Sequence, residues 1–223
     1  MIRADLHVHT CYSLDCLTPL EQIVERCLQL GLNCVAIADH NTIAGALKLK
    51  EIAPFRVIVA EEILTPAGEI MGLFLSEEIP PGLSPGETIA QIRSQGGLVA
   101  IPHPFGRPLP RNSHSLTSPE VLSGVDIIET LNARTPSSNG IDRAWRLARE
   151  YGKAASAGSD AHTIGEIGRA YVEMPEFEGP DDFLDCLAQG RILGQKSSAL
   201  VHLASMWARI RKRIAGYSAG NPS

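Results

Sequence analysis

Asp5-Leu6-His7-Val8-His9-Thr10 closes the first strand signal of the chain, an apolar stretch over residues 2–8 that runs straight into two histidines. Side chains two apart on a strand point the same way, so His7 and His9 project together from its end. The arrangement returns downstream. The apolar run 34–38 is short enough for a buried parallel strand and ends at Asp39-His40. The run 56–60 ends at Glu61-Glu62, the run 98–101 at Pro102-His103-Pro104, and the run 154–157 at Gly158-Ser159-Asp160-Ala161-His162. Further strands are expected over 69–75, after the turn Pro66-Ala67-Gly68, and over 125–130.

Helix signals fill the intervals. Thr18-Pro19-Leu20-Glu21 and Ser84-Pro85-Gly86-Glu87 read as capping boxes with proline at the first helical position. Leu20, Ile23, Val24, Cys27 and Leu28 follow at helical spacing, and Gly31 ends that helix. Helices are also expected over 43–52, 84–95 and 139–151. This alternation implies one α/β domain with a parallel sheet and right-handed crossovers, whose active site lies at the carboxyl ends of the strands. With 223 residues, 44% of them hydrophobic, the chain can bury a core of that size. Residues 105–119, rich in Pro, Arg and Ser, read as a long loop of the kind that carries function.

A formal net charge of −5 argues against broad affinity for nucleic acid, and no stable nucleic-acid partner is expected. A small anionic substrate remains compatible, because bound divalent cations would invert the local sign. No apolar run reaches the roughly 18 residues of a membrane span, and no signal peptide precedes Asp5. Five cysteines without a C-x-x-C pair fit reduced thiols, so a cytoplasmic location is expected.

Of seven histidines, five (His7, His9, His40, His103 and His162) follow strand signals directly, a placement that surface scatter does not produce. Asp15, Asp39, Glu62 and Asp160 accompany them. Mixed imidazole and carboxylate ligands suit Mn, Zn or Fe. So many donors exceed the needs of one four-coordinate ion, and two or three divalent metals sharing a carboxylate follow. Such clusters commonly hydrolyse phosphate esters.

The order H-x-H-T, Asp15, D-H-N-T (Asp39 to Thr42), Glu62, H-P and G-S-D-A-H-T (Gly158 to Thr163) resembles the PHP, or polymerase-and-histidinol-phosphatase, family over about residues 2–175. The resemblance implies a distorted seven-stranded β/α barrel of the TIM-like type with up to three metals. Carried over position by position, His7, His9, Glu62 and Asp160 resemble the ligands of one metal. Asp15, His40 and His162 resemble those of a second, and Glu62 with His103 those of a third. Asp39 resembles a group that orients a histidine. The barrel is assigned to residues 1–198, and residues 199–223 to a C-terminal helix and flexible tail.

Two positions depart from the family pattern. Gly68-Glu69-Ile70-Met71 places a methionine where the family often has a histidine, and a thioether is a poor ligand for hard or borderline cations. This weakens the Glu62/His103 site or leaves it to water. Glu61 beside Glu62 leaves two candidates, of which Glu62 is preferred. Arg107, four residues after His103, resembles the family's phosphate contact with one residue inserted, and Arg134 and Arg169 are weaker candidates.

The expected activity is a phosphatase acting on a small phosphomonoester or nucleotide, by attack of a metal-bound hydroxide. Asp160, His162, His103 and Arg107 are its candidate catalytic residues. The alternatives are a phosphodiesterase or exonuclease on short oligonucleotides, and a catalytically silent metal-binding module. Residues 199–214 alternate apolar and basic side chains and read as a helix packed on the barrel, with contact to an anionic membrane or RNA as the sharper alternative.

Overall fold

In a computed structural model, which describes residues 1–106, 116–198 and 200–216, nine strands form one sheet in the order β7-β6-β5-β4-β3-β2-β1-β8-β9. The barrel strands are β1 (Ile2–Val8), β2 (Cys34–His40), β3 (Arg56–Thr65), β4 (Gly68–Leu73), β5 (Leu98–Ile101), β6 (Ile127–Asn132) and β7 (Ala154–Gly158). The ends of this series meet. The Asp160 N–H donates to the His7 carbonyl at 2.8 Å and the His9 N–H to the Ala161 carbonyl at 3.0 Å, so the sheet curls into a nearly closed seven-stranded barrel. Glycine at position 158 permits that approach: a Cβ there would lie 2.2 Å from the Cβ of His7.

The parallel sheet expected from the sequence needs one correction inside the barrel. β4 runs antiparallel to both β3 and β5. A two-residue turn, Pro66-Ala67, joins it to β3 and has no length for a crossover helix. The hairpin also carries β3 on to Thr65, past the expected end at residue 60. Outside the barrel, β8 (Ala170–Met174) pairs antiparallel with the start of β1 and with β9 (Arg191–Gly194).

Helices α1 (Leu20–Leu30), α2 (Ala44–Ile52), α3 (Pro85–Ser94), α4 (Pro119–Ser123), α5 (Ser138–Glu150), α6 (Pro180–Ala188) and α7 (Val201–Ile214) complete the chain. The Ser84–Glu87 capping box forms, with the Ser84 N–H donating to Glu87 Oε2 at 2.9 Å. The Thr18 box does not. Thr18 Oγ1 instead donates to the His162 carbonyl at 3.3 Å, and Pro19 caps α1 without a side-chain bond.

Two apolar layers follow from the period-two alternation of the strands. Val35, Ile37, Val57 and Val59 face outward and pack with Ile23, Cys27 and Leu49 of the helices. Ala36, Ala38, Ala60, Ala100 and Ala157 face inward with Leu6, Met71 and Ile127, small side chains that fit a narrow barrel interior. On β1 the alternation changes phase. Ala4 and Leu6 belong to the inner layer and Val8 to the outer, across a register shift between Asp5 and Val8. Such a bulge re-aims side chains, and here it turns His7 and His9 inward. Among the described residues no helix is long and apolar enough to cross a membrane.

Candidate metal centre

Glu62 lies at the centre of the histidine cluster. It is in register with His40 on β2 and Met71 on β4, and it shares the inward face of β3 with Ile58 and Ala60. Its Oε1 stands 2.9 Å from His103 Nε2. Its Oε2 stands 3.1 Å from His40 Nδ1, 3.4 Å from His9 Nε2 and 3.5 Å from His7 Nε2. Glu61, one residue earlier, points into the outer layer, where Oε2 accepts the Ile79 N–H at 2.9 Å. The alternation of β3 thus selects Glu62 for the cluster.

The other candidates collect around it, though not divided as expected, since His9 stands with His40 and His162 as well as with His7 and Asp160. His7 Nε2 and His9 Nε2 are 3.1 Å apart, and Asp160 Oδ1 lies 3.3 Å from His9 Nε2 and 3.8 Å from His7 Nε2. Asp15 faces His162 Nε2 through Oδ1 at 3.3 Å and His40 Nε2 through Oδ2 at 3.4 Å. Ligand atoms of His9, His40 and His162, of His7, His9 and Asp160, and of His7, Glu62 and His103 lie close enough for each group to hold an ion. Arg107, the phosphate candidate, and His114 fall outside the described residues.

The backbone is shaped for this convergence. Asn41, His103 and Asp160 take positive φ values of 55°, 27° and 54°, each just past the end of a barrel strand. Such strain in non-glycine residues persists only where the surroundings enforce it, and it clusters at functional sites.

Burial and charge set the electrostatics. Burial opposes ionisation of His40, yet Glu62, Asp15 and Glu69 lift its pKa to about 10. Burial likewise opposes His103, and Glu62, Asp160 and Glu69 lift it to about 9. His9 goes the other way, to about 3, under burial and the neighbouring imidazoles, which outweigh its bond to Asp160. Against their own burial, histidine neighbours hold Asp15, Glu62 and Asp160 well below the ordinary carboxylate range. The carboxylates therefore demand positive charge, and imidazolium protons or divalent cations can supply it.

Three buried side-chain atoms of the cluster have no hydrogen-bond partner: Asp15 Oδ1, His40 Nε2 and His162 Nε2. All three belong to one of the expected ligand groups. Unsatisfied buried polar atoms are costly, and a cation shared between them resolves all three together. The donor set fits a mixed imidazole and carboxylate metal site.

Several supporting residues were invisible in the sequence. Glu129, at the inner face of β6, lies with Oε1 3.0 Å from His7 Nδ1 and accepts the His103 N–H on Oε2 at 2.7 Å. It fixes which ring nitrogen His7 turns inward. Ser13 Oγ sits 3.0 Å from His9 Nδ1 and donates to Asp39 Oδ1 at 2.7 Å, so Asp39 orients His9 through a hydroxyl. Met71 lines the barrel interior with Leu6, Ala100 and Ile127, while Glu69, two residues earlier, reaches to 3.8 Å from both His40 and His103. Its carboxylate stands with His40 and Glu62 as a further group able to hold an ion, a donor the sequence reading did not name.

Arg134 needs correction as a phosphate candidate. It is buried, and its Nε donates to Glu166 Oε1 at 2.7 Å while Nη2 donates to Ser205 Oγ at 2.8 Å, so it braces α7. Arg169 lines a separate groove with Arg26 and Tyr171.

The PHP domain model matches residues 5–61, and the PHP-associated model matches residues 140–192. An uncharacterized protein of Methanocaldococcus jannaschii is 37% identical over 186 residues, covering 81% of this chain and 75% of its own. Among solved structures, a two-domain protein from Bacteroides vulgatus containing a predicted PHP-like metal-dependent phosphoesterase superposes with a TM-score of 0.69 at 15% identity. The match covers 87% of this chain but only 65% of that one. An amidohydrolase from Chromobacterium violaceum, with bound sulfate and no metal, matches with a TM-score of 0.64 at 16% identity over 86% of this chain and 97% of its own.

Proposed function

Because this chain belongs to the PHP family, we propose that it is a metal-dependent phosphatase acting on a small phosphomonoester or nucleotide. The observation that carries this reading is the convergence on Glu62 of His7, His9, His40 and His103, with Asp15, Asp160 and His162 completing the cluster and three of its buried atoms left without a hydrogen bond. His7, His9, Glu62 and Asp160 would hold one divalent cation, and Asp15, His40 and His162 a second. Glu62, His103 and Glu69 would hold a third. Mn, Zn or Fe suits this donor set. Such ions, when bound, supply a nucleophilic water ionised near neutral pH and neutralise phosphoryl oxygens.

The chain's own share is position and proton. Glu129 and Ser13 lock the rings of His7 and His9. Asp5, deep beneath them, accepts the Ser159 N–H at 2.8 Å and the Gly168 N–H at 2.9 Å, which anchors the segment that carries Asp160 and His162. An imidazole spent as a ligand has no proton to give at that nitrogen, so His103 can deliver one to the leaving oxygen only while the third position holds no cation. Arg107 remains a candidate to orient the phosphate.

The test is release of inorganic phosphate from a panel of sugar phosphates, nucleotides and histidinol phosphate, with and without chelator. Chelator-sensitive release that Asp160→Ala abolishes is the expected result. Mononucleotides from dinucleotides without free phosphate would instead mark a diesterase. Activity indifferent to both chelator and Asp160→Ala would sink the proposal.

A further inference from the structure

One side of the metal centre is bordered by α7, whose inner face is tied to the barrel. Lys212 Nζ donates to the Cys11 and Ser13 carbonyls, each at 2.5 Å, and Arg134 reaches Ser205 from below. So held, α7 sets Arg209 Nη2 at 2.7 Å from Asp15 Oδ2, an oxygen that also faces His40 Nε2. A pocket of about 310 Å³ opens at this point, with Asp15, His40, Asn41 and Glu69 on one side and Arg209 and Arg213 on the other. Residues four apart on a helix stack one turn above the other, so the two guanidinium groups form one wall. Both lie beyond the residues that the family models match.

A guanidinium offers five donors in a fixed fork, and the bond to Asp15 uses one of them. The remaining donors of Arg209 can take a phosphoryl oxygen at the edge of the centre, in the bidentate manner arginine favours. Arg213 lines the same pocket one turn along, and its guanidinium can take a second anionic group.

We propose that Arg209 and Arg213 form the anion clamp of this site, with Arg209 on the phosphoryl group and Arg213 on a second acidic group of the same molecule. The favoured substrate class is then a phosphomonoester whose alcohol portion carries a carboxylate or another anion. The proposal rests on the phosphoesterase reading for its substrate but not for its measurement, because binding is read without turnover.

The experiment is calorimetric titration of the Mn-loaded protein with inorganic phosphate and with the non-hydrolysable phosphonate analogues of glycerol 3-phosphate and 3-phosphoglycerate, the last two differing by a carboxylate. Arg209→Ala is expected to weaken all three by about tenfold or more, the scale of a lost charge-assisted hydrogen bond. Arg213→Ala is expected to leave inorganic phosphate unchanged and erase the preference for the 3-phosphoglycerate analogue over the glycerol 3-phosphate analogue. Arg209→Lys keeps a cation on Asp15, and so keeps α7 in place, and should fall between wild type and Arg209→Ala. Arg211→Ala, exposed on α7 and outside the pocket lining, should bind as wild type. Phosphate binding unaltered in Arg209→Ala, a carboxylate preference that survives Arg213→Ala, or no binding by the wild type would each overturn the clamp. Binding as expected without turnover of either parent ester would remove the phosphatase reading and leave the clamp standing.

Discussion

The interior of the barrel and the layer between barrel and helices each bury a carboxylate from β3, and they treat it in opposite ways. Glu62 enters a nest of imidazoles that holds it ionised against burial. Glu61 enters an apolar layer beside Val57, Val59 and Ile63, where one backbone N–H is its hydrogen-bond donor and Oε1 has no partner. Burial, with a smaller push from Glu78, overrides that single bond and lifts the Glu61 pKa to about 8. One residue of offset on a strand therefore separates a charged group built into a functional cluster from a neutral acid lodged in packing.

The sharpest way to break the comparison is to neutralise the inner member. Glu62→Gln removes the charge that faces His7, His9, His40 and His103, with little change of shape. Bound metal, counted by elemental analysis after Mn or Zn loading, should fall, and phosphatase activity should drop to background. Circular dichroism should stay that of the wild type. A full metal complement in this variant would mean that Glu62 is not shared among the ions.

A smaller effect should follow one step outward. Glu129 touches the centre through the outer nitrogen of His7 and the His103 backbone. Glu129→Gln should lower metal affinity or activity by about 10–100-fold, the range found for partners that orient ligating histidines. Competition with a metallochromic chelator measures it. An unchanged affinity would show that His7 holds its tautomer unaided, and the inner nest would then be less cooperative than its geometry suggests.

The same contrast explains what could be read from the chain. His7, His9, His40, His103, Asp160 and His162 were legible because each follows a strand signal, and chain order alone brings strand ends together. Glu62 was legible as one of two neighbours, and the alternation of β3 chose between them. Glu129 and Ser13 were not legible, because their meaning comes from a partner ring and not from spacing; Glu129 and His7 are 122 residues apart. The direction of β4 was missed although its two-residue turn stood in the sequence, since alternating helix and strand signals elsewhere made a parallel sheet the simpler inference. Arg134 stands among the weaker phosphate candidates because nothing in the chain signals that Glu166 and Ser205 enclose it.

The outer member gives the mildest test and the one with a pH signature. Glu61 has a folded pKa of about 8 against an ordinary 4.5, so the folded state retains a proton that the unfolded chain releases. An acid whose pKa is raised by folding stabilises the fold fully below about pH 4.5, and that contribution is lost as the pH climbs to about 8. Glu61→Gln keeps an acceptor for the Ile79 N–H and cannot ionise. It should match the wild type near pH 5 and exceed it by on the order of 3–4 kcal/mol near pH 8, since each pH unit between the two pKa values corresponds to ~1.4 kcal/mol. Urea unfolding at several pH values reads the difference directly. A gap that stays flat with pH would show that Glu61 is ionised in the folded protein, and the two neighbours on β3 would then differ in surroundings but not in charge.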